Sequence, residues 1–141
     1  MYLEHTMPPL LAEAFERIKT ETNLQRGHAA NLKGRLAEER ALAAAFAACE
    51  KESWLYVARL ATRKEDADGI DVVVYSEVGK LFLQIKSSHY GARHFRYKRP
   101  SAKIMVVIIE PEMSDEKVMN KVHVALCRLH QYFLKMRRKD K

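Results

Sequence analysis

A six-residue aliphatic run, Ile104-Met105-Val106-Val107-Ile108-Ile109, closed by Pro111, constrains the fold of this chain more than any other feature. Its length suits a strand, and no polar residue alternates through it. Such a strand is expected to be buried on both faces and therefore central in a helix-covered sheet, which places the chain in the α/β class. Three more segments change to strand-like composition upstream: Trp54 to Leu60, Ile70 to Ser76 and Leu81 to Ser87. The last two, joined by a tight connection at Glu77 to Lys80 around Gly79, are predicted to form a hairpin. The segment from Ser88 to Ala102 just reaches the dozen or so residues that a parallel connection needs.

Helical spacing surrounds these strands. Pro8 and Pro9 open a stretch reaching about Gln25, the Arg26-Gly27-His28 sequence predicts a break, and Asn31 is placed to cap a second helix from Leu32 to about Cys49. Ser114 is expected to cap a last helix, with Asp115 and Glu116 in its first turn. Val118, Val122, Ala125, Leu126, Leu129, Phe133 and Met136 supply its apolar stripe. Residues 1-30 read as an N-terminal helical extension and 31-141 as one α/β domain. That fits a length of 141 residues, which is near the size of an ordinary single domain.

With 48% hydrophobic and 30% charged residues, the composition excludes a disordered tail. The longest apolar run, Ala41 to Cys49, is about half the roughly 20 residues a membrane-spanning helix requires, so no membrane partner is expected. The N-terminal residues lack the pattern of a secretory signal, and a cytoplasmic location is the expectation. Cys49 and Cys127 lie in apolar helical patterns and in no metal-ligand spacing, which argues against a disulfide scaffold or zinc finger.

The 25 Lys and Arg against 18 Asp and Glu leave a formal charge of +7, and its distribution points to a polyanion. Arg93, Arg96, Lys98, Arg99 and Lys103 are interleaved with His89, Tyr90, His94, Phe95 and Tyr97, and the C-terminus is basic again at Lys135, Arg137, Arg138, Lys139 and Lys141. Carboxylates gather instead at Glu65, Asp66, Asp68 and Asp71. Of these, the Glu65 to Asp68 cluster reads as a solvated turn. An acidic point in basic surroundings suits a site that holds a cation and approaches phosphates.

Asp71 and Lys86 each interrupt an otherwise apolar strand, and Gln84 shares a strand face with Lys86. Charges at that depth cost several kcal/mol unless paired, so Asp71 and Lys86 either form a buried ion pair or serve a site. A divalent cation gives a chemical reason for the second reading. Asp71, the Gln84 amide oxygen and the Ile85 backbone carbonyl supply hard oxygens, with water and a phosphate oxygen completing an Mg²⁺ or Mn²⁺ shell. Lys86 then stands where charge develops on an attacking hydroxide or on phosphorus.

Gly69-Ile70-Asp71, twelve further residues and then Gln84-Ile85-Lys86 resemble the D…(E/Q)-x-K core of the PD-(D/E)XK restriction-endonuclease-like nucleases, including Holliday junction resolvase-like proteins. Upstream, Gly34-Arg35-Leu36-Ala37-Glu38-Glu39-Arg40-Ala41 is similar to the helix preceding that core in small bacterial YraN-type members. The resemblance covers about residues 32 to 110. It implies a mixed four-stranded sheet flanked by helices, and metal-dependent hydrolysis of DNA in which Glu38, or Glu39 as a substitute, completes the metal site. It further implies a second chain where two strands must be cut, as a homodimer. Gln84 stands where the family usually has glutamate, which removes one negative charge, and the motif's proline is missing.

Because they follow the strand that carries Lys86, Ser87, Ser88, His89, Tyr90, Arg93, Arg96 and Lys98 are expected to contact nucleic acid, the hydroxyls and cations on phosphate and the rings on exposed bases. His123 and His130, seven residues apart, read as helix-face residues. Two alternatives remain: a nucleic-acid-binding module with a degenerate nuclease site, and an interaction subunit whose partner protein supplies the chemistry.

Overall fold

A computed structural model of the chain describes residues 9–89 and 103–139. It divides into two units, Met1–Lys33 and Gly34–Lys141. In the first, the described backbone is helical throughout and leaves Phe15 and Ile18 exposed. The first helix, α1, runs unbroken over Pro9–Lys51, so neither the expected break at Arg26-Gly27-His28 nor a cap at Asn31 is formed. One glycine in a helix interior costs about 1 kcal/mol relative to alanine. Here it is surrounded by helix-favouring residues and no proline follows, so the local penalty is too small to end the helix.

The second unit adds β1 (Leu55–Leu60), the short helix α2 (Arg63–Ala67), β2 (Val72–Ser76), β3 (Gly79–Lys86), β4 (Ile104–Ile108) and α3 (Asp115–Lys139). The strands form one sheet in the order β1-β2-β3-β4. Its β1–β2 and β2–β3 pairs are antiparallel and its β3–β4 pair is parallel. This is an α/β fold with a mixed four-stranded sheet flanked by helices. The β2–β3 hairpin closes with Ser76 opposite Gly79, whose φ of 106° lies in the region that favours glycine. The Ser76 hydroxyl donates to the Gly79 carbonyl and accepts from the Val78 N–H.

The aliphatic run forms β4 as expected but not at the centre of the sheet. Among the described strands β4 pairs only with β3 and stands last in the order. Val107 and Ile109 enter the core, while Ile104, Val106 and Ile108 are half-buried. An aliphatic run reports that both faces are shielded to some degree; it does not report how many neighbours a strand has along the hydrogen-bonding direction.

One apolar core holds the unit together. Ala37, Ala41, Ala44, Ala45 and Ala48 of α1, and Val118, Val122, Ala125, Leu126 and Leu129 of α3, share it with Val72, Val74, Leu81, Leu83, Ile85 and Val107 of the sheet. The sheet residues alternate and their registers match, so both helices lie on the same sheet face. Alanine at each buried position among the described residues lets α1 approach closely. Ser114 caps α3 through its hydroxyl, which accepts the Lys117 N–H. No described helix is long and apolar enough to cross a membrane.

Candidate functional site

The chain is delivered to Asp71 by α2, an element that replaces the expected solvated turn. Thr62 and Glu65 form a reciprocal capping box at its start. At its end Gly69 adopts φ 89°, with its N–H on the Asp66 carbonyl and the Ile70 N–H on the Glu65 carbonyl. That pairing is a Schellman motif, which accounts for the glycine of the Gly69-Ile70-Asp71 sequence. Asp71 lies one residue before β2 rather than inside it. Its N–H donates to the Leu83 carbonyl at 2.8 Å, and its Oδ2 accepts the Ile85 N–H at 2.8 Å. Asp71 is thus fastened to β3 on either side of Gln84.

The two residues so aligned are 7% and 6% exposed, and Gln84 Oε1 has no hydrogen-bond partner among the described residues. A buried amide oxygen left without a donor is uncommon and costs about 1–3 kcal/mol. Lys86, half-buried, follows two residues later on the same strand face as Gln84. Within a strand residue the N–H and C=O point to the same side, so the Ile85 carbonyl faces the Asp71 side as its N–H does.

Glu38 reaches this point from α1 and hydrogen-bonds the Asp71 side chain, whereas Glu39 is exposed. One residue along a helix rotates the side chain by about 100°, so only one of these glutamates can face the sheet. Burial pushes the Asp71 carboxyl up to about 7, and the charges of Glu38 and Asp66 act in the same direction. The Ile85 N–H and the Lys86 ammonium oppose that shift without cancelling it. Glu38 is also raised, first by burial and then by Asp66, against the opposing pull of its Asp71 hydrogen bond, Lys86 and Arg35. Two carboxyls can hydrogen-bond each other only if one carries a proton. Burial and the neighbouring carboxylates thus leave this pair short of positive charge.

Among the described residues no three His, Cys, Asp or Glu side chains gather in a form that could hold a metal ion. The structure brings the Glu38 and Asp71 carboxyls together, while Gln84 and the Ile85 carbonyl belong to the strand to which Asp71 is bonded. An all-oxygen set of this kind fits Mg²⁺ or Mn²⁺ and disfavours soft metals. Sequence reading missed the Ile85 N–H, since a main-chain donor leaves no signature in side-chain pattern. It also missed the influence of Asp66, which is exposed on α2 yet raises both carboxyls.

The remaining candidates separate clearly. Ser87, Ser88 and His89 directly follow β3, half-buried, exposed and exposed respectively, with His89 Nε2 3.6 Å from Glu110 Oε1. Tyr90, Arg93, Arg96 and Lys98 lie outside the described residues. The histidines of α3 are more than helix-face residues. His123 Nε2 lies 2.9 Å from Glu52, while His130 lies 2.6 Å from Glu77 and stacks on Trp54, tying α3 to two loops. Arg40 serves the β4–α3 loop, donating to the Glu110 and Met113 carbonyls and to Asp115. Burial raises the thiols of Cys49 and Cys127, which argues against nucleophilic roles. No family model, curated protein or solved structure matches this chain.

Proposed function

We propose that this protein is a divalent-cation-dependent nuclease of the PD-(D/E)XK type that hydrolyses phosphodiester bonds in DNA. One observation carries the reading: the hydrogen-bonded Glu38–Asp71 pair, close enough to Lys86 for its charge to act on both, next to the strand position where the Gln84 oxygen is buried without a partner. Burial raises the Asp71 carboxyl although the Lys86 charge opposes it, and a strongly perturbed carboxyl of this kind favours a functional site.

When bound, the cation supplies Lewis acidity and lowers the pKa of a water. Ionised Glu38 and Asp71 would hold it, Gln84 and the Ile85 carbonyl would add neutral oxygens, and the Ile85 N–H keeps Asp71 oriented. Lys86 places a positive charge beside the phosphate whose negative charge grows in the transition state. Neutral Gln84 in place of a carboxylate supports a second reading, a degenerate site that binds nucleic acid without cutting it.

Calorimetric titration with Mn²⁺, paired with cleavage of plasmid and branched DNA, tests the proposal. Wild type is expected to bind one cation and cut, and Asp71→Asn to do neither. Cation binding without cleavage would favour the degenerate site, and absence of cation binding even with DNA present would overturn both readings.

A further inference from the structure

The last helix carries a charge asymmetry that the candidate site does not use. From Lys117 to Lys139 it holds seven Lys and Arg residues and no Asp or Glu. Its buried stripe faces the core, so the cations fall on the other side: Lys117, Arg128, Lys135 and Arg138 are exposed and Lys121 is half-buried. Lys121, Arg128 and Lys135 recur every seven residues and form one row.

Two contacts fix how this row lies against the sheet. The Lys121 ammonium donates to the Ile108 carbonyl at the end of β4, and the Lys103 ammonium, just before β4, lies 4.7 Å above the Tyr132 ring. Eleven helical residues and five strand residues each span about 16 Å, so α3 runs antiparallel alongside β4. Ile108 is the register partner of Lys86, which puts the Lys121 end of the row at the same end of the sheet as the candidate site. From Lys121 to Arg138 the row extends about 26 Å. A groove between β4 and α3 runs beside it, lined by Met105, Ile108 and Val124, and a second groove along the helix is lined by Val124, Gln131 and Lys135. Among the described residues neither is lined by a carboxylate.

We infer that this basic row on α3 is a track for the phosphate backbone of a nucleic-acid duplex that leads to the candidate site. The inference rests on the nucleic-acid reading of that site. A straight row of cations matches a rigid backbone carrying one charge per strand every 3.4 Å or so along its axis. Recognition of an unstacked single strand would instead need open aromatic platforms. Among the described residues Tyr132, which lines the groove beside the row, is half-buried and already covered by Lys103.

The test compares wild type with the Arg128→Gln/Lys135→Gln/Arg138→Gln variant, measuring affinity for a DNA duplex across a range of KCl in chelator so that nothing is cut. An RNA duplex, single-stranded DNA, polyglutamate and anionic vesicles serve as the other probes. The variant should keep its melting temperature and its Mn²⁺ titration, while the slope of log K against log salt falls by about 2 to 3. An unchanged slope with Mn²⁺ binding retained overturns the track and leaves the nuclease proposal standing. Loss of Mn²⁺ binding in wild type with the slope change intact does the reverse. Preference for single strands, or binding of polyglutamate or vesicles as tight as that of duplex, overturns the duplex assignment.

Discussion

Glu65 and Asp71 are six residues apart, on either side of one turn of chain, and they sit under opposite electrostatics. Glu65 meets its opposite charge: both its oxygens accept from the Arg59 guanidinium, at 2.7 and 3.1 Å, and it closes the capping box with Thr62. The arginine, first, and the Thr62 N–H hold that carboxyl down at about 2. Arg59 also donates to the Tyr75 hydroxyl, which completes a satisfied surface network. Asp71 meets burial and like charges instead, and is driven up to about 7. The first arrangement is what a stable fold selects on its own. The second holds carboxyls in a form that only a proton or a cation relieves, which is why it marks the candidate site and the Glu65 cluster does not.

The contrast is broken most severely at the chemistry. Asp71→Asn and Lys86→Ala should each lower cation-dependent cleavage by about a hundredfold or more, while affinity for duplex DNA in chelator changes little. Cleavage that survives either change would remove the site from these residues.

The two carboxyls should also separate in a pH profile of melting temperature recorded in chelator. The folded pKa of Asp71 is raised, so the stability it contributes is full below its ordinary value near 4 and is lost as pH rises through about 7. For Glu65 the folded value is lowered, so its contribution is present above the ordinary range near 4 and is lost as pH falls toward about 2. Asp71→Asn should flatten the neutral limb by several degrees, and Glu65→Gln only the acid limb. A neutral limb unchanged in Asp71→Asn would mean that Asp71 is ionised in the cation-free fold.

Gln84 sharpens the comparison further, since its oxygen, unlike those of Glu65, has no donor among the described residues. Gln84→Glu should tighten Mn²⁺ binding about tenfold, equivalent to about 1.4 kcal/mol, by restoring a charge to the oxygen set. Isothermal titration reads this directly, and weaker binding would place the Gln84 side chain outside the cation's reach. The smallest effect is expected at Gly69→Ala, where a side chain at φ 89° strains the turn by about 1 kcal/mol and tilts the approach to Asp71. Loss of stability without loss of Mn²⁺ affinity would show that the Ile85 N–H alone is enough to hold the carboxylate.

Local chemistry made much of this legible. The Ser114 cap, the apolar stripe of α3 and the hairpin around Gly79 depend on neighbours a few residues apart, and each formed where the pattern put it, except that the stripe ends at Phe133 and leaves Met136 exposed. The unbroken α1 and the marginal place of β4 were not legible, because one depends on a summed helix propensity and the other on which strands dock beside it. Among site residues, Asp71 and Lys86 stood out as charges in apolar surroundings, and Glu38 entered through a motif alone. The separation of Glu38 from Glu39 needed the orientation of α1 against the sheet.

The sequence by itself determined the element types, the alanine face that lets α1 lie close to the sheet, and the presence of two charges and an amide at depths where side chains are normally apolar. Those follow from periodicity and from desolvation, which act over a few residues. Only the tertiary structure decided that Glu65 finds a guanidinium while Asp71 finds another carboxyl, that Gln84 Oε1 is left without a donor among the described residues, and that the cations of α3 form a row beginning at the site end of the sheet. Electrostatic character depends on which charges come within a few ångströms through space, and that is set by packing between elements distant in the chain.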